Sequence, residues 1–386
     1  MKVSVNAKEF KKVIEGALAV AARGLRGTFD KIEFNWSDTV HLRVLATNIE
    51  EYYDYTFNER VTCSPDNTLR SIQIDDKTVK KFCNFSGDML CIDIDEEDRT
   101  FTIGNSKRKM STIFYSQDNN TKYEVEADPA GFTSVLTMKY DEFTKIVKNL
   151  HMFTRDDDYQ PILKGFYFDC PNKRIITCDG YKAAIRKLDK YTIPTDIKGF
   201  TVSGMLAEAV KKYFIKEEDV EALVSKKYAK FINGNLVYHC RLIEGEYINL
   251  NQSIPNDIAC DFEVEADEII NICKDYKKLI DTDAPMPCTM YNNDDGRFYI
   301  GIRGVDIKSC TEISMTRTTK IPMRAGYKIR YMENCFGVFK GNTVLCKYKS
   351  QLYPLVLEND EYISLLLPVK VNEIEDAIKS YNSLIA

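Results

Sequence analysis

The sequence predicts an α+β fold in which one kind of domain, built from two helices and antiparallel sheets, occurs three times. Two observations lead to this prediction. A strand end followed by an amphipathic helix occurs at residues 5–14, 138–147 and 264–273. After each copy, strand-like runs and a second helix follow in the same order. An internal repeat decides the fold, because each copy is one structural unit.

The three copies correspond position by position. Glu9, Glu142 and Glu268 align at spacings of 133 and 126 residues, which are too long for a solenoid repeat and fit whole domains. The aligned apolar positions are Phe10, Phe143 and Ile269, followed by Val13, Ile146 and Ile272. A chance similarity between amphipathic helices does not explain why all the elements share one order.

The apolar residues of the first copy lie on one side of the predicted helix. They recur at helical spacing: Phe10, Val13, Ile14, Ala17, Leu18 and Ala21. Such a stripe is typical of a helix that packs on a core. Asp141 and Asp267 stand at the start of the second and third copies, where an acidic side chain favours the first helical turn.

A second helix is predicted in each domain, near Asp75, Ser203 and Arg330. Between the helices, β-branched and aromatic runs with polar turns, such as IEFNWSDTVHLRVLAT, predict roughly six to eight short strands per domain. Turn residues cluster near 128–131 and 255–257. We therefore place the domains at residues 1–130, 131–256 and 257–371.

The composition is that of a globular protein, with 386 residues, 44% hydrophobic and 29% charged. No run of about 18 apolar residues predicts a membrane span, and the N-terminus has no apolar signal region. The 12 cysteines never occur as CxxC, so we expect them to be reduced and mostly buried in a cytoplasmic protein. The net charge of −5 argues against gripping nucleic acid over the whole surface, but leaves room for a local basic stripe.

Candidate catalytic residues are few. His41, His151 and His239 are the only histidines and lie far apart, which leaves little for a zinc site or a histidine-based triad. Acidic clusters at residues 156–158 (Asp156, Asp157, Asp158) and 294–295 (Asp294, Asp295) suggest a rival function, a metal-dependent hydrolase. Both clusters stand in predicted loops, where solvated acids are common, and no phosphate-binding motif accompanies them. We therefore expect no enzyme activity, no metal and no cofactor.

Four segments resemble a known family. They are LKG at 163–165 with TCDGYKAAIRK at 177–187, RLIEGEYINLNQSIP at 241–255, AGYKIRYM at 325–332 and YISLLLPVK at 362–370. In this order, on a triplicated chain, they resemble the β subunit sliding clamps of bacterial replicative polymerases, over residues 1 to about 371. The family pattern is broken at a few positions: Tyr181 and Lys182 replace His-Arg, Ile248 replaces proline, Gln252 replaces arginine and Lys328 replaces asparagine.

The resemblance implies a non-enzymatic clamp. Two protomers of three clamp domains each would form a head-to-tail homodimeric ring around duplex DNA, with helices lining the hole and without reading the base sequence. A replicative DNA polymerase and a clamp loader would bind through short linear motifs. An alternative is a clamp-shaped decoy or regulator of replication.

The resemblance also implies site residues. The partner-peptide pocket, between the second and third domains, would be formed by Leu163, Cys178, Gly180, Tyr181, Lys182, Ala183, Ile248, Gln252, Ser253, Tyr331, Leu365, Leu367, Pro368, Val369 and Lys370. Strand alternation predicts that Leu365 and Leu367 line it together. At the dimer interface, the strand at 107–113 would meet the helix around Tyr276, through Arg108, Met110, Tyr276, Lys278 and Leu279.

Duplex DNA requires a basic surface, because each neutralised phosphate releases counterions. The polar faces of the predicted helices supply one. The candidate DNA-facing residues are Lys8, Lys11, Lys12, Arg23, Arg26, Lys77, Lys80, Lys81, Lys145, Lys148, Arg155, Lys211 and Lys212. The third domain is weaker, since Lys274, Lys277 and Lys278 stand among acids.

Residues 372–386 extend beyond the point where the family normally stops. Apolar residues at helical spacing predict an amphipathic helix there: Ile374, Ala377, Ile378, Tyr381 and Ile385. We expect this helix to pack on the third domain. A second hypothesis is that Ser383-Leu384-Ile385 imitates a partner motif and reaches a pocket.

Overall fold

Seven helices were predicted, and each of them is present. The computed structural model describes residues 1–23, 29–36, 40–63, 69–116, 131–280, 287–293, 296–304, 306–317 and 322–385. Within them the helices are α1 (Ala7–Ala21), α2 (Asp76–Phe82), α3 (Tyr140–His151), α4 (Met205–Lys212), α5 (Ala266–Leu279), α6 (Ile329–Gly337) and α7 (Ile374–Ile385). Among the described residues, no helix is both long and apolar enough to cross a membrane.

The strands alternate with these helices along the chain. Before α4 they are β1 (Lys2–Asn6), β2 (Lys31–Asn35), β3 (His41–Thr47), β4 (Glu51–Arg60), β5 (Ser71–Asp75), β6 (Met89–Asp95), β7 (Thr100–Gly104), β8 (Lys109–Ile113), β9 (Tyr115–Ser116), β10 (Thr133–Met138), β11 (Gly165–Asp169), β12 (Arg174–Cys178), β13 (Lys182–Lys187) and β14 (Phe200–Ser203). After α4 they are β15 (Val220–Val224), β16 (Tyr228–Asn233), β17 (Leu236–Ile243), β18 (Cys260–Glu265), β19 (Pro287–Asn292), β20 (Phe298–Arg303), β21 (Lys308–Ile313), β22 (Met315–Arg317), β23 (Arg324–Lys328), β24 (Thr343–Tyr348), β25 (Leu355–Glu358) and β26 (Tyr362–Leu366).

The chain divides into two compact units. The first unit contains residues 1–145 and 205–242, and the second contains residues 146–204 and 243–386. In the first unit, antiparallel pairing gives a sheet in the order β1-β6-β7-β8. A second sheet follows the order β9-β5-β2-β3-β4-β17-β16-β15-β10. The β4–β17 pair therefore joins a strand of the predicted first domain to one of the predicted second domain.

Helices α1 and α2 close the core of the first unit. The predicted stripe of α1 is buried except for Leu18, which is only partly covered. Phe10 stacks on Phe57 of β4 at 6.1 Å between ring centroids, and Phe82 of α2 stacks on Phe101 of β7 at 5.1 Å. Aromatic contacts of this kind add to the free energy of burial, so they fix both helices against the sheets.

The second unit has the same plan. One antiparallel sheet follows the order β14-β11-β12-β13-β26-β25-β24-β18-β22, and another follows β21-β20-β19-β23. The β13–β26 pair places Ala183 opposite Leu365. It joins the predicted second and third domains just as β4–β17 joins the first two.

Helix α7 packs on the sheet of β19 to β21. Ala377, Ile378 and Tyr381 are buried against Tyr291 and Tyr299. The extension is therefore helical and seated on the predicted third domain. Ile385, which the spacing placed in the same apolar stripe, remains 42% exposed.

Candidate partner-binding and nucleic-acid surfaces

A tight turn begins the candidate pocket. The Asp179 carboxylate accepts hydrogen bonds from the backbone N–H groups of Tyr181 (2.8 Å) and Lys182 (2.9 Å). Gly180, between them, has a φ of 94°, a conformation that side chains other than hydrogen rarely allow. The chain therefore makes a tight turn at this glycine, one of the predicted pocket residues.

The Lys182 side chain turns inward. Its ammonium donates hydrogen bonds to Asp179 Oδ2 (2.8 Å) and to the carbonyl oxygen of Met152 (2.5 Å), and it lies 5.0 Å from the ring centroid of Phe153. The side chain is only 5% exposed. Lys182, a predicted pocket residue, lines a cavity with Tyr181 and Tyr331, and its charge is satisfied within the protein and supports the turn.

Two tyrosines form a flat wall beside the turn. Tyr181, which is 53% exposed, stacks on Tyr331 of α6 with ring centroids 5.7 Å apart. The ammonium of Lys328 lies 5.4 Å and 5.1 Å from the two ring centroids. Cation–π attraction of this kind favours the stacked arrangement and leaves a positive charge at its edge.

Beneath the surface lies an apolar cluster. Cys178, Ala183 and Leu365 are buried against other side chains of the second unit: Ile176, Ile185, Leu250 and Val356. Leu163 is also buried, at 1% exposure. Burial raises the pKa of the Cys178 thiol to about 11, so it is protonated at neutral pH. These predicted pocket residues support the site from below and do not reach its surface.

Strand β26 ends at Leu366, and this changes one prediction. We expected Leu365 and Leu367 to line the pocket together, but Leu365 is buried and Leu367 is 40% exposed. The Leu367 N–H still donates to the Tyr181 carbonyl at 3.1 Å, in register with the β13–β26 pair, but Leu367 lies opposite exposed Tyr181 at the end of the ladder, whereas Leu365 lies opposite buried Ala183. Beyond Leu367 the chain turns to β23, where the Val369 N–H donates to the Gly326 carbonyl at 2.8 Å.

The remaining predicted wall residues are accessible. Ile248, Gln252, Ser253 and Lys370 are exposed, while Pro368 and Val369 are partly covered. Ile248 and Leu367 are thus the exposed large apolar side chains among the predicted pocket residues, apart from the aromatic wall.

A basic groove lies between α1 and α2 in the first unit. It has a volume of about 790 Å³ and is lined by Lys11, Lys77, Lys80 and Lys81, together with Glu15 and Asp76. Lys8 is exposed on the same helix as Lys11. Four ammonium groups around one groove suit the phosphates of a duplex, which bind by charge more than by shape.

Two predicted DNA-facing residues, Lys12 on α1 and Arg23 just after the end of α1, are held by the protein itself. The Arg23 guanidinium binds Glu51 at 3.1 Å and donates to the Tyr213 hydroxyl. The Lys12 ammonium donates to the Phe214 carbonyl at 3.2 Å, and burial lowers its pKa. Arg26 lies outside the described residues.

The lysines of the other helices differ in their exposure and in whether they form ion pairs. Lys145, Lys148 and Lys211 are exposed. Lys212 is exposed too, but it pairs with Glu208 at 2.7 Å. In α5, Lys277 and Lys278 bind Glu333 (2.5 Å) and Asp275 (2.8 Å), in keeping with the weaker basic face predicted for the third domain.

Arg155 is not part of a helix face. It follows the end of α3, and its Nε donates to Asp157 Oδ1 at 2.6 Å. It lines a polar cavity of about 490 Å³ with Asp156, Asp179 and Arg330. The prediction that Arg155 faces DNA from a helix was therefore wrong about its position, because α3 stops at His151.

Strands β8 and β21 are edges. Among the described strands, β8 pairs with β7 and β21 with β20, and neither has a second neighbour. Of the predicted interface residues, Arg108 and Lys278 are exposed, Leu279 is 42% exposed and Met110 is half-buried. Tyr276, predicted at the dimer interface, is 3% exposed in the protomer, and its hydroxyl donates to the Ile300 carbonyl at 2.7 Å, so this side chain packs in the core of its own domain.

Comparison with known proteins agrees with this architecture. Residues 137–249 match the family model for the DNA polymerase III beta subunit, central domain. A putative DNA polymerase III beta subunit from Eubacterium rectale is 18% identical, with a TM-score of 0.82 over 96% of this chain and 99% of that chain. The DNA polymerase sliding clamp from Bacillus subtilis is 15% identical, with a TM-score of 0.83 over 96% and 100% of the two chains.

The chain has the sliding-clamp fold. The beta subunit from the DNA polymerase of Streptococcus pyogenes has the same fold at 12% identity, with a TM-score of 0.82 over 96% of this chain and 100% of that chain. No sequence among curated proteins matches this one. The predicted fold class is therefore confirmed, in a sequence that has diverged far from these relatives.

Within this clamp fold, the acidic residues after α3 serve as ion-pair partners. Asp157 binds Arg155, which lowers the pKa of Asp157, and Asp158 binds Lys164 at 2.5 Å. Among the described residues, no group of three metal-binding side chains is placed to hold an ion. Asp294 and Asp295 lie outside those residues.

One exposed apolar residue of the clamp fold was missed by sequence reasoning. Leu352 is 83% exposed and lines a groove of about 700 Å³ with Pro368, Val369 and Ile374. In the sequence, Leu352 follows the polar residues Ser350 and Gln351, and this position alone indicated that its side chain is exposed. This groove connects Pro368 and Val369, two of the predicted pocket residues, to Ile374 of the C-terminal extension.

Proposed function

We propose that this protein is a DNA sliding clamp, a non-enzymatic processivity factor that encircles duplex DNA and tethers a replicative polymerase. The observation that supports this most is the shared fold over 96% of the chain with the sliding clamp from Bacillus subtilis. A fold alone does not define a function. The edges, the basic groove and the exposed apolar surface each supply a part that a clamp requires.

Two protomers close the ring head to tail. Within one chain, the sheets already continue across the repeat through β4–β17 and β13–β26. Two of the free edges among the described strands are β8 and β21, whose outer backbone groups can pair with a second copy. Pairing β8 of one protomer with β21 of its partner would satisfy both edges at once and close the assembly. Exposed Leu279 and Lys278 would flank this contact.

Duplex DNA is held by loose charge contacts. Lysines on α1, α2 and α4 supply them, including the four that surround the groove of α1 and α2. Contacts to phosphates carry no sequence information and allow sliding, whereas bidentate contacts to bases would arrest it. Lys12 and Arg23 act in the fold and contribute little to this binding.

Partners dock as short peptides on the second unit. The exposed side chains of Leu367 and Ile248 offer apolar contacts, and Tyr181 with Tyr331 offers an aromatic wall. The polymerase and the clamp loader would each insert apolar anchors of a linear motif here, with the buried cluster around Leu365 as a rigid support.

Retention on circular DNA is the decisive experiment. After loading by a clamp loader, the protein should remain on a nicked plasmid and leave when the plasmid is linearised, since only a topological link depends on DNA ends. Addition of the polymerase should then increase the length of DNA made per binding event. Equal retention on circular and linear DNA would refute the ring, and retention without polymerase stimulation would indicate a decoy or regulator.

A further inference from the structure

The apolar stripe of α7 is longer than the sheet surface that covers it. Ala377, Ile378 and Tyr381 are buried, but Leu384 and Ile385 are 52% and 42% exposed. These two lie three and four residues after Tyr381, so they continue the same helix face. The last turn of α7 therefore presents apolar side chains that its own domain leaves uncovered.

The contacts of α7 give its direction across the sheet. Glu375, at its start, binds Arg324 of β23, and Tyr381 packs over Gly301 of β20. A Cβ atom at Gly301 would lie 2.6 Å from the Tyr381 ring, so only glycine permits this approach. From Ile374 to Tyr381 the helix rises about 10 Å, which equals roughly two strand spacings and takes it from β23 to β20.

The last turn therefore reaches the free edge. Leu384 and Ile385 lie about 5–6 Å beyond Tyr381 along the helix, roughly one more strand spacing, which is the position of β21. The hydroxyl of Tyr291 joins both elements, since it contacts Asn382 of α7 at 3.1 Å and the Cys310 thiol of β21 at 3.2 Å.

The complementary edge, β8, also exposes an apolar side chain. Ile113 is 70% exposed and stands opposite Thr100 in the ladder. Phe101, next along β7, faces α2, so Ile113 points away from the helices. In the other sheet, Cys288 faces α6 through Met332, while α7 covers the opposite face. If β8 and β21 pair with their helix faces aligned, Ile113 and the end of α7 lie on the same side.

We propose that the last turn of α7 is a subunit latch, in which Leu384 and Ile385 pack on Ile113 of a second copy of this chain. The proposal rests on the proposed ring. The last turn of α7 lies beside the free edge of β21. A strand from a second copy that pairs with β21 must pass next to this turn, so the second copy is the partner that covers it. Burying three large aliphatic side chains stabilises association through the hydrophobic effect.

Sedimentation equilibrium of the full chain tests the latch. The double variant Leu384→Asp/Ile385→Asp should dimerise at least tenfold more weakly than the wild type, and Ile113→Asp should do the same from the other side. The double variant and Ile113→Asp each remove the same contact, from opposite sides. Combining all three substitutions should therefore weaken dimerisation little beyond the effect of either variant alone. Leu352→Asp is the matched control, an exposed leucine placed away from β21, and should dimerise normally.

The possible results separate the latch from the ring. A wild-type dimer with unchanged affinity in both variants would overturn the latch and leave the ring intact. If the losses of dimerisation free energy were fully additive in the combined variant, Ile113 and the end of α7 would make separate contacts, which would also overturn the latch. A wild-type monomer would overturn the ring and the latch together. Since all three residues are exposed in the protomer, circular dichroism should show unchanged folding in every variant.

Discussion

Removing the Asp179 carboxylate should destabilise the second unit strongly. The group accepts two backbone hydrogen bonds in the turn and pairs with Lys182, whose side chain is 5% exposed against 14% for Asp179. In Asp179→Ala the lysine keeps its charge without a carboxylate partner in a buried site. Leaving a buried charge unpaired costs about 3–5 kcal/mol. Losing each turn hydrogen bond costs about 1 kcal/mol more.

Asp179→Asn separates the two effects. Its amide oxygen still accepts the N–H groups of Tyr181 and Lys182, so only the ion pair is lost. Asp179→Ala should therefore be less stable than Asp179→Asn by about 2 kcal/mol. Asp179→Asn/Lys182→Met removes both charges and should recover most of the loss, as paired replacement of buried ions often does.

Scanning calorimetry measures these differences. The transition of the second unit should fall by roughly 10 °C or more in Asp179→Ala, since about 1 kcal/mol corresponds to roughly 2–4 °C in a unit of this size. The double variant should melt near the wild type. If Asp179→Ala melted within about 2 °C of the wild type, the reasoning that Lys182 is a buried, internally satisfied charge would be refuted.

Three further predictions follow from the described contacts. Leu367→Asp should abolish binding of a partner peptide, measured by fluorescence anisotropy, because it places a charge on the exposed apolar surface; the dimer should survive, and full affinity would locate the pocket elsewhere. Gly301→Ala should destabilise the protein by about 1–3 kcal/mol in denaturant unfolding, through overpacking against α7, whereas Gly337→Ala, whose added methyl group meets nothing closer than 3.7 Å, should not. Desolvation lowers the pKa of His239 in the folded protein to about 3, from an ordinary value of 6.5. When the protein unfolds below pH 6.5, the exposed imidazole of His239 therefore takes up a proton. Stability should therefore fall as pH drops from 6.5 towards 3, and a His239→Gln variant that kept the same slope in pH-dependent melting would contradict this.

The periodic elements could be predicted from the sequence. The stripe of α1 is a local pattern, and burial of Phe10 and Ala17 follows from spacing alone. The extension α7 was predicted for the same reason. Gly180 was identifiable too, because a glycine after aspartate suits a tight turn with positive φ.

Positions that depend on distant parts of the chain were not predictable in this way. The carbonyl that accepts from Lys182 belongs to Met152, just after the end of α3, so the burial of this lysine could not be inferred from its neighbours in sequence. Tyr276 was placed at the dimer interface by resemblance, yet it is buried and its hydroxyl donates to a backbone carbonyl of β20. The close packing of Tyr381 over Gly301 arises only when the C-terminal extension folds onto the sheet.

Three of the five departures from the family pattern, Tyr181, Lys182 and Lys328, lie close together in space. Tyr181 and Lys328, which replace a histidine and an asparagine, contact each other at 5.4 Å between ammonium and ring centroid, and Lys182 lies 5.5 Å from the ring of Tyr331. The ammonium group of Lys182 is buried in the turn, and the ammonium group of Lys328 lies at the edge of the aromatic wall instead. A positive charge remains at the candidate pocket, but on a different element from the one the resemblance implied. This wall would favour an aromatic or acidic residue in a partner peptide at Tyr181, while the apolar anchors still meet Leu367.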